Sequence, residues 1–391
     1  MKKFDPEIVR IDKIVYGGQG LGELPDGRKV FVWGALPGET VRVEITKSKK
    51  SYTEGVAIEI LEASSERVES RDECYLSTSP WQIIDFDYEQ QWKARLVREA
   101  FIQEKIDLPI VEVTTNGKDY FYRNKMEYSL WWDNDTNQIS LAFHKRGSHQ
   151  KIPITKSSIE RPEIFAEARR IVGQLNTEKE EARKYQLLLV RANQNGEVSS
   201  ALFENGKSHP RMKTLTDSIC GYEYSYSPNG FFQINLPVYE MALNEIAKFI
   251  MTEKIVDMYA GVGTIGLSVA RDRELTLVET NESAYSEMVK NITPDIKNAN
   301  PVLAKSEDAL EYITDDITLI LDPPRAGLDE SVIAKILEST PPCIIYLSCN
   351  PATQARDIKP LLEKYKITHV QPFNFFPRTP HIENLIVLNL C

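Results

Sequence analysis

Hydrophobic and polar positions follow three different rhythms along this chain. Over residues 7–62 the pattern is short and alternating, with segments 8–11, 29–33, 40–45 and 55–60 separated by Gly17-Gly18-Gln19-Gly20, Pro25-Asp26-Gly27 and Leu36-Pro37-Gly38-Glu39. Short strands at even spacing, each closed by turn residues, predict a small closed or nearly closed β-barrel. Residues 63–73 are polar and read as a linker. From Asp87 onward Leu96, Val97, Ala100 and Phe101 recur at helical spacing. Residues 120–128 and 141–149 read as strands of an antiparallel sheet. A third rhythm begins with a helix from about Leu236 through Met241 and Ile246 to Phe249. Strand and helix patterns then alternate, with strands at 255–259, 275–279, 301–304, 319–321, 344–348, 368–373 and 385–390. Alternation of that kind predicts a mostly parallel, doubly wound sheet. The chain therefore divides into a barrel (1–62), a small antiparallel α+β central domain (74–220) and a Rossmann-like α/β domain (221–391).

Composition changes this picture little. The 391 residues are 42% hydrophobic and 27% charged, ordinary for a soluble globular protein. No apolar run is long enough to span a bilayer, and Met1-Lys2-Lys3-Phe4-Asp5-Pro6 lacks the apolar core of a secretory signal. Cysteines at 74, 220, 343, 349 and 391 form no C-x-x-C pair, which excludes a disulfide framework or zinc site and suits the cytoplasm. The net charge of −10 argues against a nucleic-acid partner, but binding answers to local potential. Locally, Arg123, Lys125, Lys145, Arg146, Lys151, Lys156 and Arg161 outnumber Glu127, Asp133, Asp135 and Glu160. Aromatic residues interleave with these bases, so this stretch is the candidate phosphate-facing surface. Trp131-Trp132 could stack on bases, although burial explains tryptophans at least as well. Lys47-Ser48-Lys49-Lys50-Ser51-Tyr52 adds basic charge and an aromatic to a barrel loop.

Two stretches carry candidate chemistry. Ile344-Ile345-Tyr346-Leu347 reads as a buried parallel strand, and Asn350-Pro351 as the cap and first turn of a helix. Cys349 lies between them, at the sheet edge where ligands bind in such folds. A helix N-terminus there would favour thiolate; the plainer alternative is one more buried small hydrophobe. The second stretch, Lys254 to Leu267, reads as strand, glycine-rich turn and helix. The next strand ends in Glu279, whose carboxylate can accept both hydroxyls of a ribose. There is neither a full dinucleotide fingerprint nor the Lys-Ser/Thr pair of a phosphate loop, so a nucleoside without phosphates fits better, and S-adenosylmethionine above all. The spacing resembles the class I methyltransferase fold. Asp308 follows the third strand, near the expected adenine or as an N-cap of the next helix.

Four motifs together extend this resemblance: Phe231-Phe232-Gln233-Ile234-Asn235, Asp322-Pro323-Pro324-Arg325-Ala326-Gly327-Leu328, Ser348-Cys349-Asn350-Pro351, and Phe376-Pro377-Arg378-Thr379-Pro380-His381-Ile382-Glu383. With the barrel, which resembles a TRAM domain, they resemble the RNA uracil-C5 methyltransferase family across essentially the whole chain. The resemblance implies Cys349 as nucleophile and Glu383 as base. It implies Gln233, Tyr259, Thr264, Glu279, Asp308 and Asp322 around the methyl donor, and Gly261 of the glycine-rich turn lets the backbone approach that ligand closely. Many members carry an iron–sulfur cluster on four cysteines; here only Cys74 remains, with Thr78-Ser79-Pro80-Trp81 at the place of Cys-Gly-Gly-Cys, so no cluster is expected. The expected partner is RNA, large-subunit ribosomal RNA first and the thymine-loop uridine of transfer RNA second. A monomer without membrane contact is the default. The competing enzymes fit less well. An adenine amino-methyltransferase would want an aromatic where Arg325 stands, and an RNA cytosine-C5 enzyme a cysteine where Pro324 stands. A non-catalytic RNA-binding or folding factor would have no use for Cys349 and Glu383.

Overall fold

The computed structural model describes residues 5–178, 183–210, 212–296 and 298–391. The first four residues, part of the segment read as lacking a secretory signal, lie outside them. Strands β1 (Glu7–Ile14), β2 (Gly20–Glu23), β3 (Lys29–Trp33), β4 (Thr40–Ser48) and β5 (Tyr52–Glu62) close a barrel in the order β1-β2-β3-β5-β4. Val9, Ile11, Val30, Val32, Val41 and Val43 fill it. The second strand begins at Gly20, the last residue of the stretch read as turn, and runs on through Gly22, which lies against the Arg10 carbonyl where a side chain would not fit.

The expected linker at 63–73 is bolted down. Arg67 Nε donates to Glu39 at 2.6 Å, and that fully buried carboxylate also accepts from the Leu36 and Ser64 N–H groups. Buried charge survives only when paired and hydrogen-bonded in this way. Asp72 is equally buried and accepts from Gln82 Nε2 at 2.8 Å and Ser158 Oγ at 2.7 Å.

Helix α1 (Tyr75–Thr78) is one turn. Helix α2 (Phe86–Gln103) starts at the Asp85 cap, which accepts from the Asp87 and Tyr88 N–H groups, and buries Leu96, Val97, Ala100 and Phe101. Strands β6 (Lys125–Asp133), β7 (Gln138–His144), β8 (Lys151–Pro153), β9 (Leu187–Ala192), β10 (Val198–Glu204) and β11 (Lys207–His209) form an antiparallel sheet in the order β11-β10-β9-β6-β7-β8, covered by α3 (Pro162–Glu178). Residues 120–124, read as strand, are not one. Phe121 has φ +55°, and the Phe121 and Tyr122 N–H groups donate to the Ser158 and Ile159 carbonyls instead.

After a hairpin of β12 (Leu215–Ile219) and β13 (Tyr222–Tyr226) comes α4 (Leu236–Ala247). The α/β domain then runs β14 (Lys254–Met258), α5 (Thr264–Val269), β15 (Glu274–Glu279), α6 (Glu282–Asn291), β16 (Ala299–Leu303), β17 (Ile317–Leu321), α7 (Glu330–Ser339), β18 (Cys343–Ser348), α8 (Pro351–Leu361), β19 (Tyr365–Phe373) and β20 (Glu383–Leu390). The sheet order is β16-β15-β14-β17-β18-β20-β19, with β20 antiparallel to both its neighbours. Two apolar cores lie on its two faces, as a doubly wound sheet requires. The connection after β16 holds 3-10 turns rather than a helix, so Asp308 caps none. Among the described residues no helix is long and apolar enough to cross a membrane.

Candidate active site

The ladder between β18 and β20 pairs Ile344 with Leu388 and ends with Ser348 opposite Asn384. Cys349 and Glu383 adjoin this last pair, so both lie at the same edge of the sheet. On the other side β17 runs parallel with Leu321 beside Tyr346, so Asp322 leaves the sheet at the same edge. The three groups feel one another. Burial, then the Glu383 and Asp322 carboxylates, push the Cys349 thiol up to about 11. Arg325 opposes them with its positive charge. The expected preference for thiolate is therefore absent in this state. A helix end offers about half a charge, and burial with two nearby carboxylates outweighs it. Burial, reinforced by Asp322, raises Glu383 well above the ordinary carboxylate range, and burial raises Asp322 to about 7. His381 is driven down to about 4, by burial and then by Arg325, so it is neutral near pH 7.

Each element of the site is fixed from behind. The Asn350 side chain caps α8, accepting from the Ala352 N–H at 3.2 Å, and its Nδ2 donates to the Arg325 carbonyl at 3.0 Å. Gln354, one turn into α8, donates to the Tyr346 carbonyl at 2.9 Å and the Asn384 carbonyl at 3.0 Å, gripping both strands that end at the site. Asp357 accepts from the Leu328 N–H at 2.8 Å and the Tyr346 hydroxyl at 2.9 Å, tying down the loop that carries Asp322 and Arg325. The loop from Asn374 to Ile382 is held by α2. Lys93, fully buried, donates to Asn374 Oδ1 at 2.5 Å and the Phe376 carbonyl at 3.0 Å, while Glu89 accepts from the Arg378 N–H at 3.1 Å.

The second half of the site lies around the end of β14. Glu279, 9% exposed, accepts from the Gly261 N–H at 2.8 Å and the Asn281 N–H at 2.6 Å. Gly261 has φ +60°, and a Cβ there would project into open space, which leaves a cradle beside the carboxylate. Thr264 starts α5 and accepts from the Tyr239 hydroxyl at 3.0 Å. Tyr259 takes φ +65°, a costly conformation for a bulky side chain, and burial raises its hydroxyl while Ser306 opposes that rise. The backbone of Gln233 is held by the central domain. Its carbonyl accepts from Asn124 Nδ2 at 3.0 Å and Arg191 Nη2 at 3.3 Å. These residues, with Asp322, suit an uncharged-sugar nucleoside such as that of S-adenosylmethionine. Asp308 is exposed on a 3-10 turn and adds no contact that fixes the site.

Sequence reasoning missed several residues here. Asp257, fully buried on β14, accepts from the Gly266 N–H at 2.8 Å, has an unpartnered Oδ1, and is raised by burial to about 7. An acid inside the apolar run Ile255-Val256-Asp257-Met258 was the signal. Arg191 is buried and donates to the Phe232 carbonyl at 2.8 Å; a charged residue in an otherwise apolar strand again marks it. Arg325 and His381, joined at 2.9 Å, stand in two of the four motifs but were given no role at the site.

Several bases expected to face phosphate are committed internally. Arg123 donates to the Lys125 carbonyl, Lys151 to the Leu130 carbonyl, Lys156 to the Arg71 carbonyl and Arg161 to the Asn193 carbonyl. Arg146 stacks on Trp33 of the barrel at 4.1 Å. Trp132 packs against the central core beneath Arg183. Lys145 is exposed, and the charges of Arg325, Lys93, Arg123 and Arg146 all act on His381. Around Cys74 the surroundings do not fit a four-thiolate cluster. Thr78 and Ser79 offer hydroxyls rather than thiolates, and Ser79 is bonded to Gln82 at 2.7 Å and Gln82 to Asp72 at 2.8 Å. A depression of about 590 Å³ lined by Lys254, Glu274 and Glu311 lies at the opposite edge of the sheet, away from this chemistry.

Comparison with known proteins agrees with the geometry. Residues 305–390 match the family model for tRNA (Uracil-5-)-methyltransferase, and residues 8–58 match the TRAM domain. An uncharacterized RNA methyltransferase of Enterococcus faecalis is 27% identical over 99% of this chain and 98% of its own. One from Bacillus anthracis is 29% identical over 98% and 96%. The Pyrococcus abyssi tRNA (uracil-54, C5)-methyltransferase, solved with S-adenosyl-L-homocysteine, superimposes with a TM-score of 0.77. It is 21% identical, covers 97% of this chain and 99% of its own, and shares the fold.

Proposed function

We propose that this chain, which belongs to the RNA uracil-5-methyltransferase family and carries a TRAM domain at its N-terminus, methylates carbon 5 of a specific uridine through a covalent adduct on Cys349. The enzyme class, with S-adenosylmethionine as donor, follows from the family; the residue roles, the RNA and the uridine are the proposal. Glu279, Gly261, Thr264, Tyr259, Gln233 and Asp322 would hold the donor, with Asp308 toward the adenine. The bound donor supplies an electrophilic methyl group.

Carbon 5 of uracil is a poor nucleophile unaided. The Cys349 sulfur adds to carbon 6, and the ring becomes an enolate with electron density at carbon 5, which takes the methyl group. Glu383 then removes the carbon-5 proton, the carbon–sulfur bond breaks, and 5-methyluracil leaves Cys349 free. A thiol near 11 is roughly one part in ten thousand ionised at pH 7, so Arg325 beside the sulfur is the group that favours the anion as it forms. Asp322 positions the uracil or the donor at the reacting methyl. A raised Glu383 is a stronger base once ionised, which suits a carbon acid. A paired uracil cannot reach Cys349, so the target is single-stranded or flipped out.

What supports this reading is the ladder whose last pair, Ser348 with Asn384, brings the adjoining Cys349 and Glu383 to one edge of the sheet, where Glu383, Asp322 and Arg325 all act on the Cys349 thiol. Incubation with 5-fluorouridine RNA tests it, because fluorine at carbon 5 blocks elimination. A stable protein–RNA adduct is expected with the wild type and none with Cys349→Ala. No Cys349-dependent adduct on any cellular RNA would instead favour an RNA-binding or folding factor. Large-subunit ribosomal RNA is the proposed substrate. The thymine-loop uridine of transfer RNA is the second reading, favoured by the names of the matching family and the archaeal structure. Mapping 5-methyluridine in RNA with and without the gene separates them. The proposed setting is the cytoplasm, and the proposed working form a monomer.

A further inference from the structure

The steps above use no residue of the barrel, yet the barrel reaches the nucleophile's loop. The connection between β1 and β2 is closed on itself, the Val15 N–H donating to the Gln19 carbonyl at 2.9 Å and the Gly18 N–H to the Val15 carbonyl at 2.8 Å. It is clamped between the segment that follows the barrel and the α/β domain. Trp81 Nε1 donates to the Gly18 carbonyl at 3.0 Å, and a Cβ on Gly18 would come within 2.5 Å of the Pro380 side chain, three residues before Glu383. From this loop the Tyr16 hydroxyl donates to Asn350 Oδ1 at 2.6 Å. That oxygen is the one that caps α8, and the amide nitrogen of the same side chain holds the Arg325 backbone. The Tyr16 ring is 50% exposed, so the contact sits at the mouth of the site rather than in a core.

We propose that Tyr16 is a positioning residue for the nucleophile: a barrel side chain that fixes Asn350 and, through it, the Arg325 loop around Cys349. The inference rests on reading Cys349 as the nucleophile. Its physical content is that Arg325 is the group lowering the thiol against burial and the two carboxylates. Freeing Asn350 loosens the Arg325 loop, and the thiol becomes harder to ionise. An ordinary contact between domains would have no such effect on the sulfur.

Tyr16→Phe removes the O–H and leaves the ring and the Gly18 clamp. The test reads iodoacetamide alkylation of Cys349 against pH, scored by peptide mass spectrometry so that the exposed Cys391 does not interfere. Alkylation at pH 8 should slow about threefold to tenfold, the range for one net hydrogen bond, with the inflection moved to higher pH and the melting temperature unchanged. Arg325→Ala should slow it as well, and the double variant should be no slower than Arg325→Ala alone. In methylation assays kcat should fall by a similar factor while the KM for RNA stays within about twofold. An alkylation profile superimposable on the wild type, or additive effects in the double variant, would overturn the proposal. So would a rise in KM for RNA alone, which would make Tyr16 a plain RNA contact. The alkylation measurement needs no substrate. Failure to methylate any RNA would therefore sink the proposed function and leave this proposal to be judged separately.

Discussion

Glu383→Gln separates the two halves of the proposed reaction. The substitution keeps shape and removes both the charge and the base. Its two consequences have opposite signs. General-base assistance is typically worth ~100- to 10,000-fold, so elimination should slow by that factor, or about 2.7–5.5 kcal/mol in the barrier. Attack by sulfur should not slow. After burial, Glu383 is the largest influence raising the Cys349 thiol, and its neutral replacement lets the thiol ionise more readily. The methylated adduct then forms but does not resolve. With ordinary uridine RNA and S-adenosylmethionine, Glu383→Gln should accumulate up to one covalent RNA per protein, seen as a shifted band on a denaturing gel. Release of 5-methyluridine should fall ~100- to 10,000-fold. Cys349→Ser should give neither band nor product. Near wild-type release by Glu383→Gln would refute the role of Glu383. Absence of the adduct in a variant whose Cys349 still alkylates would show that Glu383 acts before the attack rather than after it.

Three further outcomes follow from the same geometry. Wild-type kcat/KM should rise from pH 6 to pH 9, because Asp322 ionises near 7, Glu383 must be ionised to take a proton, and thiolate increases toward 11; a flat or falling profile contradicts this. Glu279→Ala should weaken binding of S-adenosylhomocysteine by roughly 10- to 100-fold, as expected for hydrogen bonds to a charged group, with the barrel and central domain unaffected; calorimetric affinity within twofold of wild type would contradict it. Asp257 has a folded-state value of about 7 against about 3.9 unfolded, so between those pH values the folded protein holds the extra proton. Its contribution to stability therefore falls as pH rises from about 4 to 7, and Asp257→Asn should flatten the dependence of Tm on pH between 5 and 8; parallel profiles would show that Asp257 does not titrate this way.

What could be read from the sequence was whatever leaves a local trace. The strand ending at Cys349 and the helix beginning at Asn350 are set by neighbouring residues, and the structure builds both. The glycine turn after β14 and the acid ending β15 meet as the doubly wound order requires. Contacts between distant segments leave no periodicity. Lys93 and Glu89 look like an ordinary exposed pair one helical turn apart, yet both are fully buried because the Asn374 loop covers them. Arg67 lies in a polar stretch that reads as linker, and only the barrel's buried Glu39 turns it into an anchor. The thiol shows the same limit in electrostatics. The helix end is local and legible, whereas the burial of Cys349 and the carboxylates of Glu383 and Asp322 come from other strands and together reverse the sign.

The loop carrying Glu383 poses a problem that the chain solves with side chains. Family members that hold a cluster have thiolate ligands ordering the segment after the barrel, and this chain has Thr78-Ser79-Pro80-Trp81 there. Metal bonds can order a segment one at a time, but a buried hydrogen-bond network must be complete, since each orphaned polar group costs about 1–3 kcal/mol. The network here is continuous in that sense. Asp72, Ser79, Gln82 and Ser158 bond one another, and the Trp81 N–H donates to the Arg378 carbonyl at 3.0 Å. Glu89 accepts from the Arg378 N–H, and the Arg378 side chain bonds Asp119 and the Ile84 carbonyl. Lys93 completes the circuit at Asn374 and Phe376. Burial lowers Lys93 while Glu89 supports its charge, so the pair is worth more as a fixed geometry than as an attraction. The segment at the place of the cluster thus pins the Glu383 loop at Arg378 through the Trp81 N–H, while α2 pins it at Asn374, Phe376 and Arg378, and the position of the proposed base follows from a loop held by two other stretches of chain.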